Sequence, residues 1–476
     1  VFKSAGRAKR RHFREKMKDM NYLPHTEQDI QEMLETIGVK SIPELFQGIP
    51  QEWQLKKLLD LPPAMSEPEI VEHVQPLADK NIAVSQMPSF LGAGCYHNFI
   101  PAAVNHLAGR SEFYTSYTPY QAEASQGSLQ AFFEYQTMIC ELTALEVANA
   151  SVYDGATALA EAVLMSLAVT GRKKVLLSQT IHPEYRQVVQ TYLKDLEAEL
   201  ITIPFSEGRT DLPSLKQIIN SETACVAVAN PNFFGLIEEM AEISGPVHQS
   251  GALFIAVVNP VSLGLLKPPG DYQADIAVGE GQPFGNEMYF GGPHIGFFAT
   301  RPEYVRKMPG RLVGQTTDTE GKRGFVLTLS TREQHIRRAK ATSNICTNEA
   351  LCALRTAIYL SLIGKQGLQQ IAQLCFQKAH YAAEKISNLK GFKILFSAPS
   401  RLGSRDVHRE TVAPFFNEFV VQCPKPPSVI NKKLLKNGII GGLDLKNFYP
   451  ELKNAMLICV TEMNSKEQID KLVKCL

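Results

Sequence analysis

The 476-residue sequence has almost no surplus charge: Lys and Arg number 49 against 48 Asp and Glu, a formal net charge of +1. That balance argues against bulk binding of nucleic acid or an anionic membrane surface, both of which use a strong basic excess. Long apolar runs are missing too. The most apolar stretch, Ala252 to Leu266, is interrupted by Asn259, Pro260 and Ser262, whereas a spanning helix needs about 20 apolar residues. No apolar segment of the secretory type follows the basic N-terminus. The nine cysteines are sparse, odd in number and never spaced as Cys-x-x-Cys, which disfavours a disulfide framework and a structural zinc site. They read as buried thiols in a reducing compartment, and the expected localisation is cytoplasmic.

Several catalytic motifs are absent. The nearest approach to a dinucleotide-binding Gly-x-Gly-x-x-Gly is Gly279-Glu280-Gly281, followed by Gly285 one position too late. There is no Gly-Lys-Ser/Thr loop, His-Glu-x-x-His or Gly-x-Ser-x-Gly, so nucleotide hydrolysis, zinc proteolysis and serine esterase chemistry have no support. What is present is an ordinary globular composition, 44% hydrophobic and 20% charged. It has room for about two to four structural units at roughly 100–200 residues each.

Residues 1–19 stand apart. They carry Lys3, Arg7, Lys9, Arg10, Arg11, Arg14, Lys16 and Lys18 against Glu15 and Asp19. This is the composition of a transit peptide or nucleic-acid arm. The favoured expectation is a basic extension ahead of a start at Met20. Residues 20–110 read as a helical N-terminal region. Thr26 with Glu27 and Asp29 is a helix start, Ile30, Met33, Leu34 and Ile37 keep helical spacing, and Gly38 is a stop. A second helix is expected through Leu55, Leu58 and Leu59, ended by Pro62-Pro63.

Residues 111–345 read as a large α/β domain. Strands are expected at Lys174–Ser178, Leu200–Pro204, Ala224–Ala229, Ala252–Val258, Asp275–Val278 and Ile295–Thr300, with helices of 10 to 15 residues between most of the earlier ones. That alternation implies crossover units and a parallel-rich sheet covered on both faces. Residues 346–476 read as an apolar helix ended by Gly364, a further helix, and a smaller C-terminal α+β domain. The layout is similar to that of pyridoxal-phosphate-dependent transferases of the aminotransferase-like fold type I. Such enzymes need a Schiff-base Lys and an acid that keeps the pyridine nitrogen protonated. Neither is in the expected place. The strand runs Val257-Val258-Asn259, and Gly279-Glu280-Gly281-Gln282-Pro283-Phe284-Gly285 contains no Lys. Lys267, upstream and ahead of Pro268-Pro269, is the nearest.

Three long runs carry a more specific resemblance: Tyr117 to Gly127 (YTPYQAEASQG), Ala148 to Ala158 (ANASVYDGATA) and Thr331 to Thr347 (TREQHIRRAKATSNICT). With Tyr22-Leu23-Pro24-His25-Thr26 and Phe90-Leu91-Gly92-Ala93-Gly94, they resemble the glycine decarboxylase P-protein family of the glycine cleavage system. The length is similar to that of the stand-alone first subunit, the N-terminal half of the single-chain forms. The resemblance places Gln282 where the other half carries the Schiff-base Lys, and Val257 where it carries the acid. It implies pyridoxal phosphate held covalently by a partner subunit 2, in a two-plus-two assembly. It further implies glycine as substrate and transfer of the aminomethyl group to the lipoyl arm of the H-protein. Neither nucleic acid nor membrane is an expected partner.

Within these runs the candidate supporting residues for catalysis are Tyr117, Thr118, Tyr120 and Gln121, with His97 from a Gly-rich turn as a proton-transfer candidate against the favoured reading of a structural histidine. The phenols could equally be packed core groups. Asn149, Ser151, Asp154 and Thr157 form a polar cluster at a loop-to-helix junction. It could face a phosphate or carboxylate at the helix N-terminus, or Asp154 or Ser151 could simply cap that helix. Arg332, His335, Arg338 and Lys340 are candidates for carrier docking or a subunit interface, against a reading as a solvated face. The alternative for the whole chain is a structural scaffold for the catalytic subunit.

Overall fold

The computed structural model describes residues 25–57, 59–114, 116–396 and 414–476. The basic stretch 1–19, Met20, the run Tyr22-Leu23-Pro24 and Leu58 lie outside the described residues. The chain divides after Asn81 into two compact units.

In the first unit, α1 (Glu27–Ile37) starts where the sequence indicates. Thr26 and Asp29 form a reciprocal capping box, and Gly38, at φ 85°, closes the helix in the left-handed region. The helix expected through Leu55 and Leu59 is not formed: the described residues 54–57 and 59–66 are irregular, with both leucines exposed. Leucine spacing there has no start cap behind it, and Pro62-Pro63 disfavours helical backbone just before it. The start chemistry sits further on. Ser66 and Glu69 make a capping box, with a Pro in the first turn, for α2 (Glu67–Ala78). Among the described residues 25–81 only Leu34 is buried.

The second unit is built on a seven-stranded sheet. Its elements run α3 (Ala102–Ala108), α4 (Gln126–Thr143), β1 (Val147–Ala148), α5 (Gly155–Thr170), β2 (Lys174–Ser178), α6 (Pro183–Leu193) and β3 (Glu199–Ile203). A small hairpin, β4 (Phe205–Ser206) and β5 (Arg209–Thr210), precedes α7 (Leu212–Ile218), β6 (Thr223–Asn230), α8 (Met240–Gln249), β7 (Leu253–Val258), β8 (Ile276–Glu280) and β9 (Gly296–Thr300). The strand order is β1-β9-β8-β7-β6-β2-β3. Pairing is parallel from β8 to β3 and antiparallel at β8–β9 and β9–β1. Every residue of β6 to β9 is buried, as a sheet covered on both faces requires. Along β7, Phe254, Ala256 and Val258 pack into one core and Leu253, Ile255 and Val257 into the other.

An antiparallel hairpin that the sequence reading passes over, β10 (Leu312–Thr317) and β11 (Arg323–Thr328), follows the sheet. Its signal was a turn in which Asp318 accepts from the N–H groups of Glu320 and Lys322, with Gly321 at φ 79°. After a short α9 (Gln334–Arg337), α10 (Ala350–Ser387) is broken at Gly364, whose φ 57° and ψ −174° are not helical. The chain ends in a four-stranded antiparallel sheet, ordered β12 (Lys393–Ile394), β13 (Glu418–Gln422), β15 (Ala455–Cys459), β14 (Leu443–Asp444), with α11 (Pro427–Lys436) and α12 (Lys466–Cys475). Among the described residues no helix is long and apolar enough to cross a membrane.

Candidate functional site

The three sequence runs converge on one short segment, Met308-Pro309-Gly310-Arg311, that leads into β10. Asn149, fully buried, donates from Nδ2 to the Pro309 carbonyl at 3.0 Å. The Ala150 N–H donates to the Arg311 carbonyl at 2.8 Å. Arg332 donates from Nη2 to the Gly310 carbonyl at 3.0 Å, from Nη1 to that of Met308, and from Nε to that of Leu329 at 3.1 Å. Arg332 is therefore no part of a solvated charged face: it is a buried backbone clamp, and burial lowers its pKa. Gly310 has φ 74°, and a Cβ there would come within 2.9 Å of Asn149 Nδ2, so conformation and space both call for glycine.

Held this way, the Arg311 side chain forks. Nη1 donates to Thr347 Oγ1 at 2.7 Å and to Asn348 Oδ1 at 3.4 Å. Nη2 donates to the Cys346 carbonyl at 2.7 Å and to the Tyr120 phenol oxygen at 3.2 Å. Nε faces Glu333 Oε2 at 3.7 Å, beyond hydrogen-bond range. Both side chains are almost fully buried, and Arg311 Nε and Glu333 Oε1 have no hydrogen-bond partner among the described residues. Tyr120 and His335 stand at the outer end, with ring centroids 5.7 Å apart in an edge-on arrangement. His335 Nδ1 lies 3.6 Å from Glu333 Oε2.

Neither phenol is core packing: Tyr120 is 58% and Tyr117 80% exposed. Tyr117 lines a cavity of about 510 Å³ together with Tyr114, Ser128, Thr347, Asn348 and Leu351. Thr118 is half-buried, its carbonyl accepting from the Tyr120 N–H at 2.9 Å, and Gln121 is exposed. Arg338 and Lys340 are exposed on the loop after α9. Arg311 and Glu333 were missed in the sequence. The available signal was the Pro-Gly turn directly before an Arg.

The second run also reaches this cluster. Asn149 Oδ1 accepts from the Ser151 N–H at 3.1 Å, Ser151 Oγ accepts from the Glu349 N–H at 3.0 Å, and Asn348 Nδ2 donates to the Ala150 carbonyl at 2.9 Å. Asp154 caps α5 in a box with Thr157, the Thr157 N–H donating to Asp154 Oδ1 at 2.8 Å. The helix start offers no open anion seat at Gly155, because that N–H already donates to Glu280 Oε2 at 3.0 Å.

Glu280 belongs to a second concave place, the crevice at the C-terminal ends of β6, β7 and β8, where open α/β sheets bind ligands. Its Oε1 accepts from the N–H groups of Gln282 at 2.9 Å and Ile295 at 3.1 Å. His294 Nδ1 lies 3.4 Å from Oε2, and the bond to Glu280 raises the His294 pKa. Gln282 is buried and fully engaged. It accepts from the Tyr96 N–H at 2.9 Å, and its amide donates to the carbonyls of Tyr96 at 3.1 Å and Asn286 at 2.7 Å. His182 donates from Nε2 to the Ala93 carbonyl at 2.9 Å, accepts at Nδ1 from the Glu184 N–H at 3.2 Å, and stacks on Tyr185. Burial lowers its pKa. Glu418, also fully buried, accepts from the Ala93 N–H and the Tyr96 hydroxyl, both at 2.7 Å, and burial pushes its carboxyl up to about 7.

What remains open in the crevice is a cavity of about 70 Å³, against the roughly 300 Å³ from which small-molecule sites begin. Val257 contributes no acid, Gln282 no amine, and the start of α5 no free N–H at Gly155. Pyridoxal phosphate does not fit the residues present in this crevice. Lys267 is exposed on the loop before Pro268. His97 sits at a different junction: its carbonyl accepts from Thr461 Oγ1 at 2.6 Å, while its neighbours Asn98 and Phe99 donate to Glu462. The ring is half-buried, which lowers its pKa.

Comparison with known proteins gives a consistent result. Residues 20–476 match the family described as glycine cleavage system P-protein. The chain is 54% identical over 453 residues to a probable glycine dehydrogenase (decarboxylating) subunit 1 of Anoxybacillus flavithermus, covering 95% of this chain and 98% of that protein. It superimposes on a crystal structure of glycine decarboxylase (P-protein) of the glycine cleavage system in inhibitor-bound form with a TM-score of 0.82. That pair shares 45% identity and covers 96% of this chain and 99% of the other. A sphingosine-1-phosphate lyase of Burkholderia pseudomallei shares the fold, at TM-score 0.61 and 13% identity, over 90% of this chain and 93% of its own. The architecture is the aminotransferase-like fold of pyridoxal-phosphate-dependent transferases.

Proposed function

The chain belongs to the glycine cleavage system P-protein family, and from that premise we propose that it is the subunit of a two-subunit glycine decarboxylase that does not carry the cofactor. The observation that carries this reading is the closed crevice. Gln282 is fixed by three hydrogen bonds to backbone groups, two of them to Tyr96, which lines the roughly 70 Å³ of free space left in the crevice. The covalent pyridoxal phosphate, which supplies the electron sink for decarboxylation, then belongs to subunit 2.

In this reading the exposed face with Tyr117, Thr118, Tyr120, Gln121 and His335 borders the partner's active site. Asn149, Ser151, Asp154 and Thr157 hold its frame, and Arg338 and Lys340 meet the partner or the lipoylated H-protein that accepts the aminomethyl group. His97 acts on packing, not on protons. The assembly is a two-plus-two heterotetramer. Nine free thiols in one chain fit the reducing cytoplasm.

The test is the visible spectrum of the purified chain with pyridoxal phosphate, before and after borohydride, alone and with subunit 2. Reducible colour only in the mixture, together with glycine-dependent release of carbon dioxide, is the expected result. Reducible colour in this chain alone would overturn the reading. If instead the mixture turns over and Tyr117→Phe and Tyr120→Phe leave it unchanged in an intact assembly, the chain is a scaffold.

A further inference from the structure

Two exposed groups able to touch a substrate, Tyr120 and His335, rest on a buried pair that nothing in the sequence reading assigns. The physical chemistry of that support is directional. A guanidinium has five N–H donors and no acceptor. The Tyr120 oxygen therefore accepts from Arg311 Nη2 at 3.2 Å, which leaves the phenol's own O–H free to donate away from the protein. The Arg311 charge lies 5.5 Å from the ring centroid and holds the ring's face as well. Arg311 does not move freely beneath it. Its carbonyl and those of Met308, Pro309 and Gly310 accept from Ala150, Arg332 and Asn149, and its other bonds fix Cys346 and Thr347. Glu333 holds the opposite corner, with Oε2 3.7 Å from Arg311 Nε and 3.6 Å from His335 Nδ1.

We propose that Arg311 and Glu333 are positioning residues that present the Tyr120 hydroxyl as an outward hydrogen-bond donor, with His335 beside it, to the carboxylate of the amino-acid substrate at the subunit boundary. An anionic group is the matching ligand. The presented atom is a donor, and Arg337, Arg338 and Lys340 are exposed on the same short segment as His335. Arg311 itself is 2% exposed and acts through Tyr120. This inference rests on the two-subunit reading above, and its test separates the two.

In the assembled two-subunit enzyme, Tyr120→Phe and Arg311→Lys should each raise KM for glycine about ten-fold or more, the equivalent of one hydrogen bond to a charged group. Both should change kcat much less. The double variant should be no worse than the poorer single one, because both changes remove the same interaction. Multiplying effects, or a loss confined to kcat, would overturn the proposal. The isolated chain gives an independent readout: with tyrosines 13C-labelled at the ring carbon bearing oxygen, the NMR signal lost in Tyr120→Phe should shift in Arg311→Lys. Should Arg311→Lys fail to fold, Glu333→Gln should shift the same signal. A signal unmoved by the folded variant refutes positioning. A mixture without turnover refutes the two-subunit reading, and the NMR signal alone then decides the positioning.

Discussion

The crevice at the ends of β6 to β8 and the cluster around Arg311 are both buried, polar and built from loops that meet at strand ends. They are finished differently. In the crevice, both oxygens of Glu280 and both ends of the Gln282 amide find partners within the chain. Around Arg311, one guanidinium nitrogen and one Glu333 oxygen have no hydrogen-bond partner among the described residues, and the outermost members, Tyr120 and His335, are exposed. A polar site whose hydrogen bonds are all made internally stiffens a joint and leaves nothing for a ligand. One whose last members stay exposed has donors and acceptors left to offer. The place where the fold predicts a ligand is thus the joint, and a place set by sequence runs is the candidate site.

The largest expected effect tests the cluster. Arg311→Ala strips the cation from a buried carboxylate and removes the anchor of Tyr120, Cys346 and Thr347. It should cost about 3–5 kcal/mol of stability, read as a fall in the urea midpoint. A loss below about 1 kcal/mol would mean that Glu333 has found other partners and that the cluster resembles the crevice more closely than its geometry indicates.

Next comes the crevice. Gln282→Leu keeps the volume but leaves the N–H and carbonyl of Tyr96 and the carbonyl of Asn286 without their partner, for a cost of about 2–3 kcal/mol. If the crevice is a joint, variant enzyme that still assembles should keep its KM for glycine. A raised KM would show that the crevice takes part in the chemistry.

The third effect is a pH dependence. Burial raises the Glu418 carboxyl from 4.5 to about 7, so the folded chain holds that proton more tightly than the unfolded one does. The stabilisation is fully present below pH 4.5 and is lost as pH rises through 7, on the order of 3 kcal/mol. Glu161, also raised to about 7 by burial, adds in the same direction. Glu418→Gln should flatten the melting temperature between pH 5 and 8, and an unchanged slope would remove Glu418 from the account. The smallest effect is local. Asp154→Ala should cost about 1 kcal/mol through the lost cap of α5, measured by thermal unfolding, with both sites otherwise as before.

The sheet was legible in the sequence because its strands are fully covered. A run such as Leu253-Phe254-Ile255-Ala256-Val257-Val258 is too short for a typical helix and apolar at every position, which suits a strand buried on both faces. The N-terminal unit was less legible for the converse reason. With one buried residue in its described part, apolar spacing there reports no core, and cap chemistry at Ser66 located α2 where leucine spacing misled. The β10–β11 hairpin escaped because its strands are half exposed and rich in Thr and Gly.

For the candidate site, the runs containing Tyr120, Asn149 and His335 were visible as runs. What they surround was not. A single Arg after a Pro-Gly turn looks like any loop arginine until tertiary contacts place three distant segments against it. Asp154 caps α5, one of the two uses its sequence position allowed, whereas Arg332 shows the limit of reading polar residues by type, since it spends its donors on the carbonyls of Met308, Gly310 and Leu329.

The Gln282 amide also has a consequence for descent. In the genetic code glutamine and lysine are one base apart, so a lysine at 282 is always a single mutation away. Yet lysine cannot accept the Tyr96 N–H, and the crevice lined by Tyr96 leaves about 70 Å³, with Val257 on one wall and Glu280 already bound to the start of α5. Exchanging the amide therefore loosens the joint without opening a seat for a ligand. A lysine at 282 is thus one base away in the codon and three backbone hydrogen bonds away in the fold.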